Sequence, residues 1–424
     1  MTERRYGYRW VVLALLFVAT TINYVDRLVL GLLAPTLTRE LQWTETDYGN
    51  IVSMFTFAYG FGFLFSGWCL DRIGVKKGLT AAIIAWSVAA MAHAFARTVA
   101  GFSFARAALG FGESAIFPAS IKTVAEWFPQ RERALAAGLF NAGTNTGAIL
   151  APIIVVFVTE RWGWQAAFLV TGAMGVFWLL AWIPLYRPPE SHPKVSAAEL
   201  AHIRSDPSET RHRAVPWLQL LGYRQTWAFI VTKLFADPVW WFYLYWLPKF
   251  LDARYEVKLS GVALPLIVIY LIADFGSIGG GWLSSTLIKR GWTPNRARKT
   301  AMLAMALLIV PTMLAPRVDS LWGAVLIVAL AAAAHQAWSA NAYTLASDMF
   351  PKAAVGSVVG IGAFAGAVGG FGFQRLVGYV LDANGRNYAP IFVVCGSAYV
   401  VGWLLLHFIV PRLQPAPIAG DNPS

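Results

Sequence analysis

Charge is what this sequence has least of: Asp, Glu, Lys and Arg together make up 13% of its 424 residues. A water-soluble domain carries about 25%. With 57% hydrophobic residues and a mean hydropathy of +0.55, the chain belongs in lipid rather than in water. Cysteine is almost missing. Cys69 and Cys395 lie in separate apolar stretches, which excludes a disulfide framework and a cysteine metal site. No G-x-x-x-x-G-K-[ST] loop is present, which excludes transport driven by ATP hydrolysis. No catalytic constellation appears either, so neither an enzyme, a metal nor a cofactor is expected. The net charge of +12 would suggest nucleic acid for a soluble protein. In a membrane chain the preference of Lys and Arg for cytoplasmic loops explains it, and no nucleic-acid partner is expected.

What is there is a series of apolar segments. Twelve are long enough to cross about 30 Å of hydrocarbon. They run over about 10–34, 46–70, 78–97, 100–128, 132–158, 163–186, 225–250, 259–287, 298–316, 320–350, 354–381 and 388–411. The first follows Arg4, Arg5 and Arg9 but is too long, and too interrupted by charge, for a cleaved leader, so a retained span is expected. One long polar insert, 187–224, separates six spans (1–186) from six (225–424), with a short helix expected around Ser196 to Arg204. Most Lys and Arg of the connections fall in the two tails, the insert and the other even-numbered loops. Both termini are therefore expected in the cytoplasm, in a multi-pass inner-membrane protein. Phe128-Pro129, Gly138 and Gly147 return at the same spacing as Phe350-Pro351, Gly360 and Gly369. Two six-helix halves with one topology form a parallel repeat, an arrangement of secondary transporters.

Several charges lie inside spans, where each costs at least about 2.5–3.5 kcal/mol at the bilayer centre and needs a reason. Arg106 and Glu113 are seven residues apart, within about 20° of one helix face and about 10.5 Å along it. An internal salt bridge tying helices together is one reading; an anion site beside a proton-accepting carboxylate is the other. Asp26 and Arg27 are adjacent and point about 100° apart, so each should have its own partner, Asp26 with a basic group elsewhere in the half. Lys233 and Asp237 sit four apart, a spacing that also fits a local ion pair. Lys122 and Glu126, also four apart, read as helix-end structure.

Gly67 to Lys77, GWCLDRIGVKK, places Gly67, Asp71, Arg72, Gly74 and Lys76 as in the loop between the second and third spans of the major facilitator superfamily, which the chain resembles. In the corresponding stretch GWLSSTLIKRG, Ser285 stands where the aspartate would be. NYVDR (from Asn23), RAALGFGE (from Arg106), EWFPQRERALAAG (from Glu126), AHQAWS (from Ala334) and SDMFP (from Ser347) resemble the anion:cation symporter branch. AHQAWS and KLFADPVWWFYLYWLP (from Lys233) are most similar to bacterial hexuronate transporters.

The resemblance implies an all-α membrane protein with the major facilitator fold: twelve transmembrane helices in two pseudo-symmetric six-helix halves. It implies proton-coupled import of a sugar acid, glucuronate or galacturonate, by alternating access in a functional monomer. Another organic anion, such as an aldonate, an aldarate or a small carboxylate, is the alternative. Asp26 and Glu113 would carry protons, and Arg27 and Arg106 would hold the carboxylate. Asp71, Arg72 and Gly67 would form a latch.

Other polar groups on apolar spans complete the candidates. Tyr24 is close to Asp26 and Arg27 in the first span, Tyr59 falls near midplane of the second, where its hydroxyl could reach a carboxylate or sugar oxygen, and Thr144 and Asn145 are ligands or helix–helix glue. In the second half Trp240 and Trp241 suit a sugar's C–H face or anchor the membrane interface. His335, Gln336 and Ser339 suit sugar hydroxyls, although His335 reads equally as a structural histidine. Asp237 and Asp274 are assigned to gating or structure, with Pro238 expected to kink its helix.

Overall fold

A chain inside hydrocarbon has no water to satisfy its peptide groups, so each apolar stretch must close its own hydrogen bonds as a helix. The computed structural model describes residues 7–205 and 216–418 and shows that outcome, with no strand among the described residues. Fourteen α-helices follow in order: α1 Tyr8–Glu40, α2 Glu45–Ile73, α3 Val75–Ala92, α4 Val99–Glu113, α5 Ile116–Trp127, α6 Gln130–Leu185, α7 Ala197–Ile203, α8 Trp217–Leu220, α9 Arg224–Tyr255, α10 Leu259–Lys289, α11 Pro294–Ile309, α12 Leu321–Met349, α13 Lys352–Ala383 and α14 Ala389–Ile409.

These helices make the twelve spans. The run written as α6 is two spans, because Gly163 adopts φ 82° and ψ 167° and turns the chain between them. Only a residue without Cβ adopts that backbone cheaply. Conversely, α4 and α5 are one expected span in two pieces, parted at Ser114 and Ala115. Pro118 has no N–H to offer the carbonyl of Ser114 four residues earlier, which explains the break. The same effect turns the end of α11 into a 3₁₀ segment, Val310–Arg317, at Pro311 and Pro316. Pro238 and Pro248, by contrast, are accommodated inside the continuous α9.

The described chain separates into two compact units. The first holds residues 1–41 and 54–211, the second residues 42–53 and 212–424. The helix expected around Ser196 is α7, capped by the Ser196 hydroxyl accepting from the Glu199 N–H at 3.1 Å. Arg9 holds it to the first unit, donating to Glu199 from its backbone at 3.1 Å and pairing with Glu132 at 3.1 Å. His202 on α7 also reaches Glu132, at 2.8 Å. Residues 206–215 of the expected insert lie outside the described residues.

The first turns of α2 belong with the second unit for an electrostatic reason. Glu45 is 2% exposed, pairs with Lys249 at 2.6 Å and with Arg386 at 3.1 Å. Asp382 accepts from the N–H groups of Glu45 and Thr46 at 3.0 and 2.8 Å, capping the helix. Removing one member of such a buried pair costs roughly 3–5 kcal/mol, which is ample to fix the start of the helix.

In the first unit α1 packs closely on α6, and small residues allow it. A Cβ added at Gly147 would stand 2.5 Å from the Thr21 carbonyl oxygen, whereas one at Gly138 would meet nothing within 4 Å. Gly147→Ala should therefore lower the thermal midpoint of the detergent-solubilised protein, by an overpacking cost of roughly 1–3 kcal/mol. Gly138→Ala should leave the midpoint unchanged or raise it, because a helix gains about 0.5–1 kcal/mol from that exchange. Equal midpoints for the two variants would contradict the close approach.

Candidate functional site

The first unit gathers its buried charges around Arg27, which lies on α1 and is 2% exposed. Its Nε donates to Glu113 Oε2 at 2.9 Å, and a terminal nitrogen pairs with the same oxygen at 2.9 Å. Glu113 ends α4 and is fully buried; its second oxygen, Oε1, accepts nothing among the described residues. Arg27 also donates to Asn23 Oδ1 at 3.2 Å. Aromatic faces surround its guanidinium: Tyr24 at 4.7 Å, Tyr59 at 4.9 Å and Phe55 at 5.2 Å. Such contacts stabilise a desolvated cation by about 2 kcal/mol or more.

Arg106, fully buried on α4, sends two nitrogens to the backbone carbonyl of Arg27, at 3.4 and 3.3 Å, and lies over Phe55 at 4.9 Å. The carboxylate of Glu113 is thus engaged by an arginine from another span, Arg27 on α1.

Asp26 departs from expectation. It is 1% exposed, yet neither carboxyl oxygen has a hydrogen-bond partner among the described residues, and no basic group pairs with it. Thr171 and Glu113 are its polar neighbours. Adjacent positions on a helix diverge, so Arg27 turns toward Glu113 and Asp26 cannot share that arrangement. Leaving a charged carboxylate there without a donor would be costly, so the group is suited to hold a proton.

Tyr24 and Tyr59 are half-buried beside Arg27. Thr144 is occupied within its own helix, donating to the Asn141 carbonyl at 2.8 Å and lying 3.2 Å from Asn145 Oδ1. Both contacts lie within α6 rather than between helices.

In the last turns of α2, Asp71 is exposed and pairs with Lys122 at 2.7 Å, while Arg72 lies over Trp68 at 4.2 Å. Gly74 takes φ 80° at the start of α3, and nothing approaches Gly67. Lys122 also donates to the Leu70 carbonyl at 3.1 Å, and Glu126 accepts from the Tyr186 hydroxyl at 3.1 Å. In the second unit Arg298 takes the corresponding role, binding Asp348 at 3.2 Å and the Ser284 hydroxyl at 3.0 Å.

The second unit has its own polar cluster. Lys233 and Asp237 pair at 2.8 Å along α9, and the Lys233 ammonium lies 4.9 Å from the Tyr343 ring. Three residues on, Trp240 stacks flat on His335 of α12, with ring centroids 4.8 Å apart and planes within 5°. Tyr270 of α10 stands edge-on to Trp240 at 6.5 Å. Trp241 is nearly buried and stacks on Tyr245 at 5.8 Å, apart from the Trp240–His335 pair. Gln336, Ser339 and Asp274 are half-buried, and Asp274 has no ion-pair partner among the described residues. A separate apolar cavity of about 290 Å³ lies between α10 and α12, lined by Gly276, Gly280, Ala333 and Ala337, and contains none of the candidate residues.

Sequence reading missed Phe55, Tyr343 and Tyr399, which contact the charged or histidine side chains directly. It also missed Gln374, fully buried and accepting from the Trp246 indole at 2.5 Å. An aromatic residue in an apolar span carries no periodic signal that separates packing from ligation.

The chain is similar to known transport proteins. The hexuronate transporter of Escherichia coli strain K12 is 29% identical over 428 residues, covering 99% of this chain and 98% of its own. The galacturonate transporter of Dickeya chrysanthemi is 34% identical over 283 residues, 65% of this chain and 81% of its own. The solved structure of a D-xylose-proton symporter superimposes with a TM-score of 0.75 across 96% of this chain and 99% of that one. At 16% identity that likeness shows the fold alone. Twelve spans, two units and the match of residues 16–373 to the Major Facilitator Superfamily place the chain in that superfamily of multi-pass membrane transporters.

Proposed function

We propose that this chain is a proton-coupled symporter that imports a sugar acid, a hexuronate such as glucuronate or galacturonate, by alternating access. It works as a monomer in the bacterial inner membrane with both termini in the cytoplasm. The observation that supports this most strongly is the buried Arg27–Glu113 pair beside the partnerless Asp26. Similarity to the hexuronate and galacturonate transporters supports the substrate class.

The charges of the first unit make the coupling intelligible. Arg27 and Arg106 supply two positive charges, and Asp26 and Glu113 supply two negative ones when ionised. A proton on Asp26 leaves one positive charge in excess, which a substrate carboxylate neutralises. A proton on Glu113 weakens its hold on Arg27 and frees the guanidinium for the same carboxylate. Substrate and proton thus favour each other's binding, as linkage requires. Importing an anion alone against an inside-negative potential costs about 2.3 kcal/mol per 100 mV. One proton cancels that cost, and further protons make uptake electrically favourable. In the second unit the Trp240 and His335 faces, with Gln336 and Ser339, suit the hydroxylated part of the acid.

Two consequences can be measured in proteoliposomes with labelled glucuronate. Glu113→Gln and Asp26→Asn should each lower accumulation driven by an inward proton gradient by about tenfold or more, while exchange of labelled for unlabelled glucuronate present on both sides persists. Full gradient-driven accumulation by either variant would remove that residue from the coupling. Arg27→Ala should abolish both modes, because it strips the anion of its cation and leaves Glu113 buried without a donor. A loss of roughly 3 kcal/mol corresponds to about a hundredfold weaker binding.

Competition by galacturonate, galactonate, glucarate and small carboxylates then fixes the substrate. Failure of every uronate to compete would exclude the hexuronate reading and favour an aldonate, an aldarate or another organic anion.

A further inference from the structure

His335 is held by Tyr399 and Trp240, and the way it is held determines which ring nitrogen carries hydrogen. Its Nδ1 lies 2.5 Å from the Tyr399 hydroxyl, and that hydroxyl lies 3.1 Å from the backbone carbonyl of Ala236 on α9. A carbonyl oxygen only accepts, so the single phenolic hydrogen is needed there. Nδ1 must then be the protonated nitrogen and donate to the Tyr399 oxygen. With the roles reversed, the Tyr399 and Ala236 oxygens would face each other without a hydrogen between them, where Tyr399 is fully buried. His335 has no carboxylate partner among the described residues, and Asp237 is engaged by Lys233. A cationic ring is therefore unsupported, and the neutral ring with hydrogen on Nδ1 leaves Nε2 as a bare acceptor. No protein donor reaches Nε2 among the described residues.

The orientation of that acceptor is fixed as well as its chemistry. Trp240 covers one face of the imidazole at 4.8 Å and 5°. Tyr399 meets it edge-on at 6.0 Å and 84°, and is itself backed by Trp338 at 5.3 Å and 89°. The ring cannot flip to offer Nδ1 instead without breaking the chain from His335 through Tyr399 to Ala236.

We propose that Tyr399 is a positioning residue that locks His335 as a hydrogen-bond acceptor, and that Nε2 reads one donor hydroxyl of the transported sugar acid. This rests on the proposed function, in which the second unit receives the hydroxylated part of the substrate. A substrate hydroxyl donates to Nε2. An analogue lacking that hydroxyl leaves a nearly buried acceptor unpaired, and a site built around such a group discriminates strongly against it. Selection for a polyhydroxylated acid over a simple carboxylate would then originate partly here rather than at the arginines.

Two experiments test this. The first is ring nitrogen-15 NMR of the histidine-labelled full-length protein, with His335 assigned by its loss in His335→Phe. Protonation at Nδ1, shifting toward a tautomer mixture in Tyr399→Phe, is expected; hydrogen on Nε2 in the unaltered protein overturns the proposal. The second is uptake of the transported uronate and its monodeoxy analogues. In the unaltered protein one analogue should need about tenfold or more higher concentration for half-maximal uptake than its parent. Tyr399→Phe and His335→Phe, which keep the ring packing, should shrink that ratio to about threefold or less by raising the parent's value. An unchanged ratio in either variant that transports overturns the proposal. Absence of uptake for every sugar acid overturns the proposed function and with it the ligand of Nε2, an outcome distinct from a wrong tautomer.

Discussion

Removing two arginines and two carboxylates from water is the constraint that shapes the first unit. Arg27 answers it by engaging everything within reach: Glu113 through two nitrogens, Asn23, and three aromatic faces. Arg106 is tied in turn to the carbonyl of Arg27, so α1 and α4 are joined through one residue. Such a pair contributes little net stability, because desolvation offsets its Coulomb attraction. Its value lies in being nearly balanced. An arrangement that neither collapses nor dissociates is one that a proton or an anion can tip, and this makes the pair suitable for the proposed coupling.

The second unit solves a different problem. Its one charge pair within the candidate cluster is local to α9, and the remainder of that cluster is aromatic and neutral: Trp240, His335, Tyr270 and Tyr399. The first unit thus carries a charged cluster and the second a hydrogen-bonding, stacking one. Proline and glycine place these surfaces. Pro118 divides α4 from α5 just after Glu113, and Gly147 lets α1 lie close against α6, beside Thr21 and Tyr24.

The spans were legible because hydrocarbon forces a single backbone solution, and charges inside them were legible because they violate the surrounding composition. Arg27, Arg106, Asp26 and Glu113 stood out for that reason alone. Their pairing did not, since rise along one helix separates Arg106 from Glu113 while a neighbouring helix brings Arg27 within 2.9 Å. Spacing rules describe one helix, and the buried network is made between helices. Glu45, Lys249 and Arg386 were hidden for a related reason: each falls near a span end, where charge is ordinary, and only the fold buries Glu45 against both. Tyr399 was hidden in a mostly apolar span, where a tyrosine is ordinary packing.

Proton movement accompanying uronate entry is the most direct test of the proposed coupling. Purified protein in proteoliposomes, with no imposed pH gradient and with an external pH indicator, should make the outside medium more alkaline when glucuronate is added. The change should disappear with an ionophore that clamps pH on both sides. Glucuronate entry with no accompanying loss of external protons would contradict symport and leave only facilitated diffusion or exchange.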